Sequence, residues 1–413
     1  MPILRTDNWE LKSMKHVLII PDGFADRPLP VLKDRTPIEA ARTPAMDTLA
    51  REGEVGLAVN VPKGMEPGSD VACMSLLGYD PLRYHTGRAP LEAVSLGVDL
   101  ADGEVAFRAN LVTVVEGVMV DYFAGHIKSR EAAVLVQSLR AALEGLPVKL
   151  YAGVSYRNLL VTDLTEAAEA RTVPPHDITG QLIQPNLPTG PGSELLLEVM
   201  DRAVRALAGH EVNEVRLSLG ENAATALWLW GGGRRPKLEP FAERYGRSGA
   251  MISAVDLLRS LGMLLAFDIL KVPGATGYLD TDYAAKGEHA CRALEDHDLV
   301  VVHVEAPDEA SHGGKALEKL KSLERIDQDI VAPIAELADR RGDTRILVAS
   351  DHATPIETRT HTADPVPFLF WGPGFSPNGA PAFTEAAAKR TKLVEKQGWK
   401  LMGRLLGVEA ASE

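Results

Sequence analysis

Short, unbroken apolar runs punctuate the chain. Four of them are rich in β-branched residues: "HVLII" (16–20), "EVGLAVNV" (54–61), "DLVVVHVEA" (298–306) and "TRILVAS" (344–350). Runs of this length without polar alternation predict strands buried on both faces. Between the runs lie stretches with apolar positions at helical spacing, among them "SREAAVLVQSLRAAL" (129–143), "SELLLEVMDRAVRALAG" (193–209) and "KALEKLKSLERIDQDIVAPIAELADRR" (315–341). Strands alternating with helices predict an α/β protein whose mostly parallel central sheet is flanked by helices.

The texture changes between residues 91 and 235. Strand-like segments there are shorter and less purely apolar ("VAFRANLVTVVEGVMVDYF", "VKLYAGV", "NLLVTD"), and two proline-rich stretches interrupt them, "VPPHDITG" and "QPNLPTGPG". This predicts a smaller α+β domain, 91–235, inserted into a core formed by 1–90 and 236–413. Residues 1–13, before Met14 and "KHVLII", read as an extension outside the fold. A chain of 413 residues is also too long for one ordinary core, which fits two domains.

Composition narrows the partners. A formal charge of −13 argues against nucleic acid and anionic membrane surfaces, yet a local group of Arg and His can still hold a small anion at short range. Cys73 and Cys291 are the only cysteines, so no disulfide framework is implied and a cytoplasmic location fits. No stretch approaches the ~20 apolar residues of a membrane span, and the opening residues lack the apolar core of a secretory signal. A homo-oligomer is compatible with the sequence.

Three buried runs end alike. "HVLII" leads into Pro21-Asp22-Gly23, "VVVHVEAP" into Asp308 with His312 four residues on, and "ILVAS" into Asp351-His352, with His361 nine residues later. One strand-terminal Asp is commonly a turn former or cap. Three such ends, with three histidines close behind, point instead to a metal, because open α/β sheets collect ligands at the carboxyl ends of their strands. The i,i+4 spacing of Asp308 and His312 puts both on one helical face. Three imidazoles beside three carboxylates suit Mn, Zn or Co better than Mg.

In "PKGMEPGSDVACMSLLGYDP" (62–81), Ser69 stands where a helix begins and is expected at its N-cap. A serine there often does no more than cap. The same position also serves phosphate binding, through helix-start N–H groups, and a metal could activate the hydroxyl as a nucleophile. Cys73, one turn on, is the rival nucleophile, but its apolar helix predicts burial.

The order Asp22, Ser69, Asp308-x-x-x-His312, Asp351-His352, His361 resembles the alkaline phosphatase superfamily. The strings "PDGFADRP", "PGSDVACMSLLGYDP", "GRAPLEAVSLG", "WLWGGGRRP", "GATGYLDT" and "HVEAPDEASH" resemble the cofactor-independent phosphoglycerate mutases, specifically their archaeal-type branch, over nearly the whole chain from about residue 16. The resemblance implies an alkaline-phosphatase-like core and a two-metal phosphotransferase that interconverts 3-phosphoglycerate and 2-phosphoglycerate in glycolysis and gluconeogenesis, without 2,3-bisphosphoglycerate. By the same resemblance Asp308, His312 and His361 would hold one divalent ion, Mn being favoured, and Asp22, Ser69, Asp351 and His352 the other. Ser69 would be transiently phosphorylated, and the inserted domain would grip the small phosphorylated substrate.

His126, in "DYFAGHIKS", stands where the broader mutase family has a phosphate-contacting histidine. Arg157 and the pair Arg234-Arg235 are candidates for the substrate's carboxylate and phosphate, which guanidinium groups bind bidentately. The family's lysine near the return to the core has no counterpart in "ISAVDLLRSLG". "GGGRRP" lacks the Lys-Ser/Thr of a nucleotide loop, so no nucleotide is expected. Another phosphatase or phosphomutase of the superfamily is the alternative reading, and the inserted domain argues against it, since a plain phosphatase has no need to retain its product.

Overall fold

The apolar runs become neighbouring strands of one sheet in the computed structural model, which describes residues 14–408. The extension expected at 1–13 lies outside the described residues. The sheet has eight strands in the order Val394–Glu395, Glu54–Ala58, Val366–Trp371, Thr344–Ala349, Lys15–Pro21, Leu299–Val304, Gly249–Ile252 and Asp268–Ile269. Every neighbouring pair is parallel except those of Val366–Trp371, which runs antiparallel to both its neighbours.

Alternation along the strands explains why the runs are apolar throughout. Val17 and Ile19 pack into a cluster with Leu294, Ile326 and Ile334, while Leu18 and Ile20, fully buried as well, point to the other side. The helices Asp256–Leu264 and Lys400–Leu406 pack on strands of the sheet and on the helix Ser69–Leu76. Strand ends are level because the registers are: Pro21 pairs with Val304 and Ile19 with Val348. The chain therefore leaves three adjacent parallel strands at one edge, at Asp22, Glu305 and Ser350.

The stretch 315–341 is not one regular helix. It runs as Ala316–Ile326, a π turn Asp327–Val331 and Ala332–Arg341. Pro333 has no N–H for the carbonyl four residues back, and a locally widened turn accommodates it. The same turn presents Asp327, whose carboxylate accepts from Ala45 N (3.1 Å) and Met46 N (2.7 Å) at the start of the helix Pro44–Glu52.

Residues 86–237 form a compact unit of their own, and the flanking parts of the chain form the other. The smaller unit carries an antiparallel sheet in which the long strand Val105–Val115 pairs with Val118–Asp121, Arg157–Thr162 and Ala226–Arg234, and Val148–Val154 extends it beside Arg157–Thr162. Helices Ser129–Ala142 and Ser193–Leu207 bury Leu135, Leu139, Leu196 and Val199 with Phe107 and Trp228 of the sheet. Among the described residues no helix is long and apolar enough to cross a membrane.

His16 opens the first strand, fully buried. Its Nδ1 donates to Asp298 O at 3.1 Å and its Nε2 has no partner. Burial pushes its pKa down from 6.5 to about 4, against the opposing pull of that hydrogen bond. The unfolded chain thus takes up a proton near pH 6.5 that the folded chain refuses until about pH 4. The stability His16 confers is complete above pH 6.5 and is lost as pH falls through that window, by about 3 kcal/mol in all. Urea unfolding of His16→Gln and of the unaltered protein, both metal-free, should show a shallower fall between pH 6.5 and 4.5 in the variant. Equal slopes would refute the assignment.

Candidate metal and phosphoryl-transfer site

Each strand end delivers its group by a different local device. After Pro21 the chain turns through Gly23, at φ +58°, whose N–H donates to Asp351 Oδ1 at 3.0 Å. A Cβ on Gly23 would lie 2.4 Å from Asp308 Oδ1 and 2.5 Å from Thr354 Oγ1, so only glycine lets the strand ends draw this close. The second strand ends in the short helix Ala306–His312, and its i,i+4 spacing sets His312 Nε2 3.0 Å from Asp308 Oδ2. The third strand end is pinned by the buried Asn60, whose amide donates to Ser350 O (2.9 Å) and Asp351 O (2.8 Å).

All seven residues read from the sequence as metal ligands or nucleophile lie in the larger unit, and the fold brings them together. Asp308, His312 and His361 each present a ligand atom within 4.8 Å of the others, and so do Asp22, Asp308 and His352. His312 Nε2 and His361 Nε2 face each other at 3.0 Å, while His312 Nδ1 donates to Arg359 O at 2.9 Å. With Nδ1 protonated, Nε2 is left as the metal-facing atom. His352 Nε2 lies 3.1 Å from Ser69 Oγ, 3.2 Å from Asp351 Oδ2 and 3.6 Å from Asp22 Oδ1. Asp22 Oδ1 is buried without a hydrogen-bond partner.

Ser69 differs from expectation in one respect. Gly68, extended, occupies the cap position, and Ser69 is the first residue of the helix, its hydroxyl making no cap bond. Because Gly68 takes the cap, Ser69 Oγ is free to face His352. Cys73 is fully buried, with its thiol 3.6 Å from Asp351 Oδ2. Burial and the carboxylates of Asp351 and Asp22 raise its pKa well above the ordinary value, which leaves it a poor nucleophile.

The electrostatics suit a cation. Burial, then repulsion from Asp351, Glu305 and Asp308, raises the pKa of Asp22 well above the carboxylate range. Burial would raise Asp308 likewise, but hydrogen bonds from His312 and His361 hold it well below its usual value. Burial would lower His312, yet its contact with Asp308 prevails and lifts it to about 9. Oxygen and imidazole donors without a thiolate fit a borderline divalent ion.

Sequence reading missed several members. His303, inside the strand Leu299–Val304, is fully buried, bonds Asp22 Oδ2 through Nε2 at 2.7 Å and meets Ser253 Oγ through Nδ1 at 3.1 Å. A histidine in an otherwise apolar run was the available signal. Glu305 lies 3.5 Å from His303 Nε2, and burial together with Asp308 raises its pKa to about 8. Asp22, His303 and Glu305 form a third group of closely spaced ligand atoms.

The four substrate-contact candidates all lie in the smaller unit, and they do not form one cluster. Arg157 pairs in register with Asn110 and Arg234 with Val105, about 17 Å apart along the long strand. His126 is exposed, at φ +52°, stacked on Phe123 with ring centroids 4.0 Å apart. Arg234 donates to Thr165 O at 2.9 Å, and Arg235 pairs with Asp99 at the surface. One buried cation of this unit is among those that sequence reading passed over. Arg108 lies over the Trp230 ring at 4.2 Å, 3.0 Å from Glu92. Burial lowers its pKa to about 10, with Arg88 and Arg157 near enough to contribute.

Carboxylates and imidazoles gathered at the carboxyl edge of an α/β sheet, beside a serine that starts a helix, make the working parts of a metal-dependent phosphoryl-transfer enzyme. Residues 50–213 match the family model of 2,3-bisphosphoglycerate-independent phosphoglycerate mutase, and 222–366 match that of type I phosphodiesterase / nucleotide pyrophosphatase. The 2,3-bisphosphoglycerate-independent phosphoglycerate mutase of Methanosarcina acetivorans is 47% identical over 96% of this chain and 100% of its own. That of Methanothrix thermoacetophila is 48% identical over 91% and 95%. The cofactor-independent phosphoglycerate mutase of Thermoplasma acidophilum superposes with a TM-score of 0.64 at 29% identity, covering 95% of this chain and 99% of that one. The chain belongs to the 2,3-bisphosphoglycerate-independent phosphoglycerate mutases. It is accordingly an isomerase of the intramolecular phosphotransferase kind.

If His312 is a ligand, a metal must displace the proton it holds below about pH 9, and the apparent affinity for Mn²⁺ should climb with pH, by up to about tenfold per unit, and level off near that value. Calorimetric titration from pH 6.5 to 9.5 measures this. A flat profile would exclude His312 as a ligand.

Proposed function

We propose that the chain interconverts 3-phosphoglycerate and 2-phosphoglycerate through a phosphoserine at Ser69. Asp308, His312 and His361 hold one divalent ion and Asp22, Ser69, Asp351 and His352 the other, with Mn favoured over Co, Zn and Mg by the imidazole content. The observation that carries the reading is the 3.1 Å contact of Ser69 Oγ with His352 Nε2 at the start of a helix. It gathers the nucleophile, a candidate ligand and a phosphate-binding helix end in one place.

When bound, the ions would promote loss of the Ser69 proton and neutralise charge on the transferring phosphoryl group. The chain's own residues supply the rest. Helix-start N–H groups face the incoming phosphoryl oxygens, and His352, kept neutral by burial, holds Oγ in one orientation. Oγ forms a bond to phosphorus as the bond from phosphorus to the C3 oxygen breaks, and that oxygen takes a proton. The reverse step joins phosphorus to the C2 oxygen and restores the Ser69 hydroxyl.

Between the steps glycerate must turn without leaving. His126, Arg157, Arg234 and Arg235 of the smaller unit are the candidate contacts, in more than one place along its sheet, with Arg88 and Arg157 both near Arg108 as added cationic charge. Exclusion of water keeps phosphoserine from hydrolysis. Free Cys73 and Cys291 agree with a reducing, cytoplasmic setting.

Ser69→Ala should abolish turnover yet leave divalent-metal binding at one site and the fold intact. If it keeps a tenth or more of the activity while Cys73→Ala loses it, the nucleophile is misassigned. Retention of glycerate is tested by adding labelled glycerate during turnover of unlabelled 3-phosphoglycerate. Little label should enter 2-phosphoglycerate. Rapid labelling would mean that glycerate escapes, and free phosphate as the main product would make the chain a phosphatase.

A further inference from the structure

We infer that Thr354 is a positioning residue: one hydroxyl orients a ligand of each candidate metal site, and a buried ion pair, Lys319–Asp26, holds it in place. The inference rests on the metal assignment just proposed. Thr354 is fully buried. Its Oγ1 donates to Asp308 Oδ1 at 2.6 Å and lies 3.2 Å from His352 Nδ1. A hydroxyl has one proton to give, and the carboxylate takes it. The contact with His352 therefore runs the other way, with Nδ1–H donating to Oγ1.

That direction decides the tautomer of His352. With the proton on Nδ1, Nε2 carries the lone pair, and Nε2 is the atom that faces Ser69 Oγ, Asp351 Oδ2 and Asp22 Oδ1. Such outer hydrogen bonds fix the ring and the basicity of metal-binding histidines. The same hydroxyl fixes the rotation of the Asp308 carboxylate, whose other oxygen meets His312.

Thr354 itself is held at both polar groups of its backbone. Its N–H donates to Ala25 O (3.2 Å), and its carbonyl accepts from Lys319 Nζ (3.0 Å). Lys319 pairs with Asp26 at 2.8 Å, both side chains wholly buried. Asp26 in turn accepts from Ile356 N at 3.2 Å and Arg27 N at 2.7 Å. The turn after Asp22, the helix after His312 and the segment between His352 and His361 thus meet at one ion pair. Removing either partner would strand a buried charge, so Thr354 is the place to test the device.

Thr354→Val replaces the hydroxyl with a methyl of similar size, Thr354→Ala removes it without adding bulk, and Thr354→Ser retains it. Calorimetry with Mn²⁺ alone, melting of the metal-free proteins and steady-state kinetics are measured on all three and on the unaltered chain. Val and Ala should lower Mn²⁺ affinity by ~10–100-fold and reduce kcat more than they raise KM. Their metal-free melting should fall no further than loss of one buried hydrogen-bonding hydroxyl allows, with the fold retained, and Ser should recover affinity to within about threefold. Unaltered affinity in Val and Ala overturns the inference. Equal loss in Ser and Val also overturns it, since the methyl contact would then be what matters. No Mn²⁺ binding by the unaltered chain would instead remove the metal assignment on which the inference stands.

Discussion

Four carboxylates, Asp22, Glu305, Asp308 and Asp351, converge at one sheet edge, out of water or nearly so, and the rest of the site follows from that crowding. Like charges in a poorly solvated space cannot all remain ionised without a counter-charge. The chain supplies only part of it. His312 and His361 stand against Asp308, while His303, kept neutral by burial, gives Asp22 a hydrogen bond but no charge. Lys286, its pKa lowered to about 8 by burial, reaches only the carbonyl of His303. The remainder is made up by protons, seen in the raised pKa of Asp22 and of Glu305. A divalent ion neutralises the same charge with better geometry than scattered protons, so the cluster is preorganised for it.

Such crowding survives only on a rigid base. Level registers among three parallel strands fix where each acid emerges, and Gly23 allows an approach that any side chain would block. The edge is thus held by backbone pairing, a geometric minimum and a buried ion pair. None of these devices is itself chemical. The smaller unit follows other rules, with an antiparallel sheet, a core of its own and a cationic cluster around Arg108 in place of an acidic one. An anionic substrate and a cationic metal are opposite binding problems, and guanidinium groups gather in one unit where carboxylates gather in the other.

What could be read in the sequence was whatever strand ends and spacing encode. Apolar runs marked the inner strands, and an Asp within four residues of the end of each of three marked the edge, because ligands at a parallel sheet's carboxyl end follow their strand in the chain. Ser69 was legible as a helix start but not as the first helical residue, since "PGSD" offers two neighbouring cap residues and only the backbone chooses Gly68. Lys319 was not legible at all. In "KALEKLKSL" it looks like its exposed neighbours, and no periodicity says that this lysine turns inward to meet Asp26, 293 residues away. Thr354 and His303 were hidden for the same reason. Each acts through a partner supplied by another strand end, and long-range contacts of that kind leave no local pattern. The π turn at Asp327–Val331 was foreshadowed by Pro333, though a kink and a break read alike in sequence.

The two candidate metal sites are not equivalent, and the difference has a direction. His312 and His361 expose 39% and 20% of their side chains, whereas Asp22, Asp351 and His352 expose none. Under the proposed assignment, an ion held by His312 and His361 would be open to water and substrate oxygens, and one held by Asp22, Asp351 and His352 would be enclosed beside Ser69. A metal that must accept a succession of substrate oxygens needs open positions, while one that activates a fixed serine gains from a closed shell. On that assignment the exposure gradient would suit an outer ion to substrate oxygens and an inner ion to the Ser69 oxygen. Thr354 lies between the two groups, bonded to Asp308 on one side and His352 on the other, and so ties the more exposed candidate ligands to the buried ones.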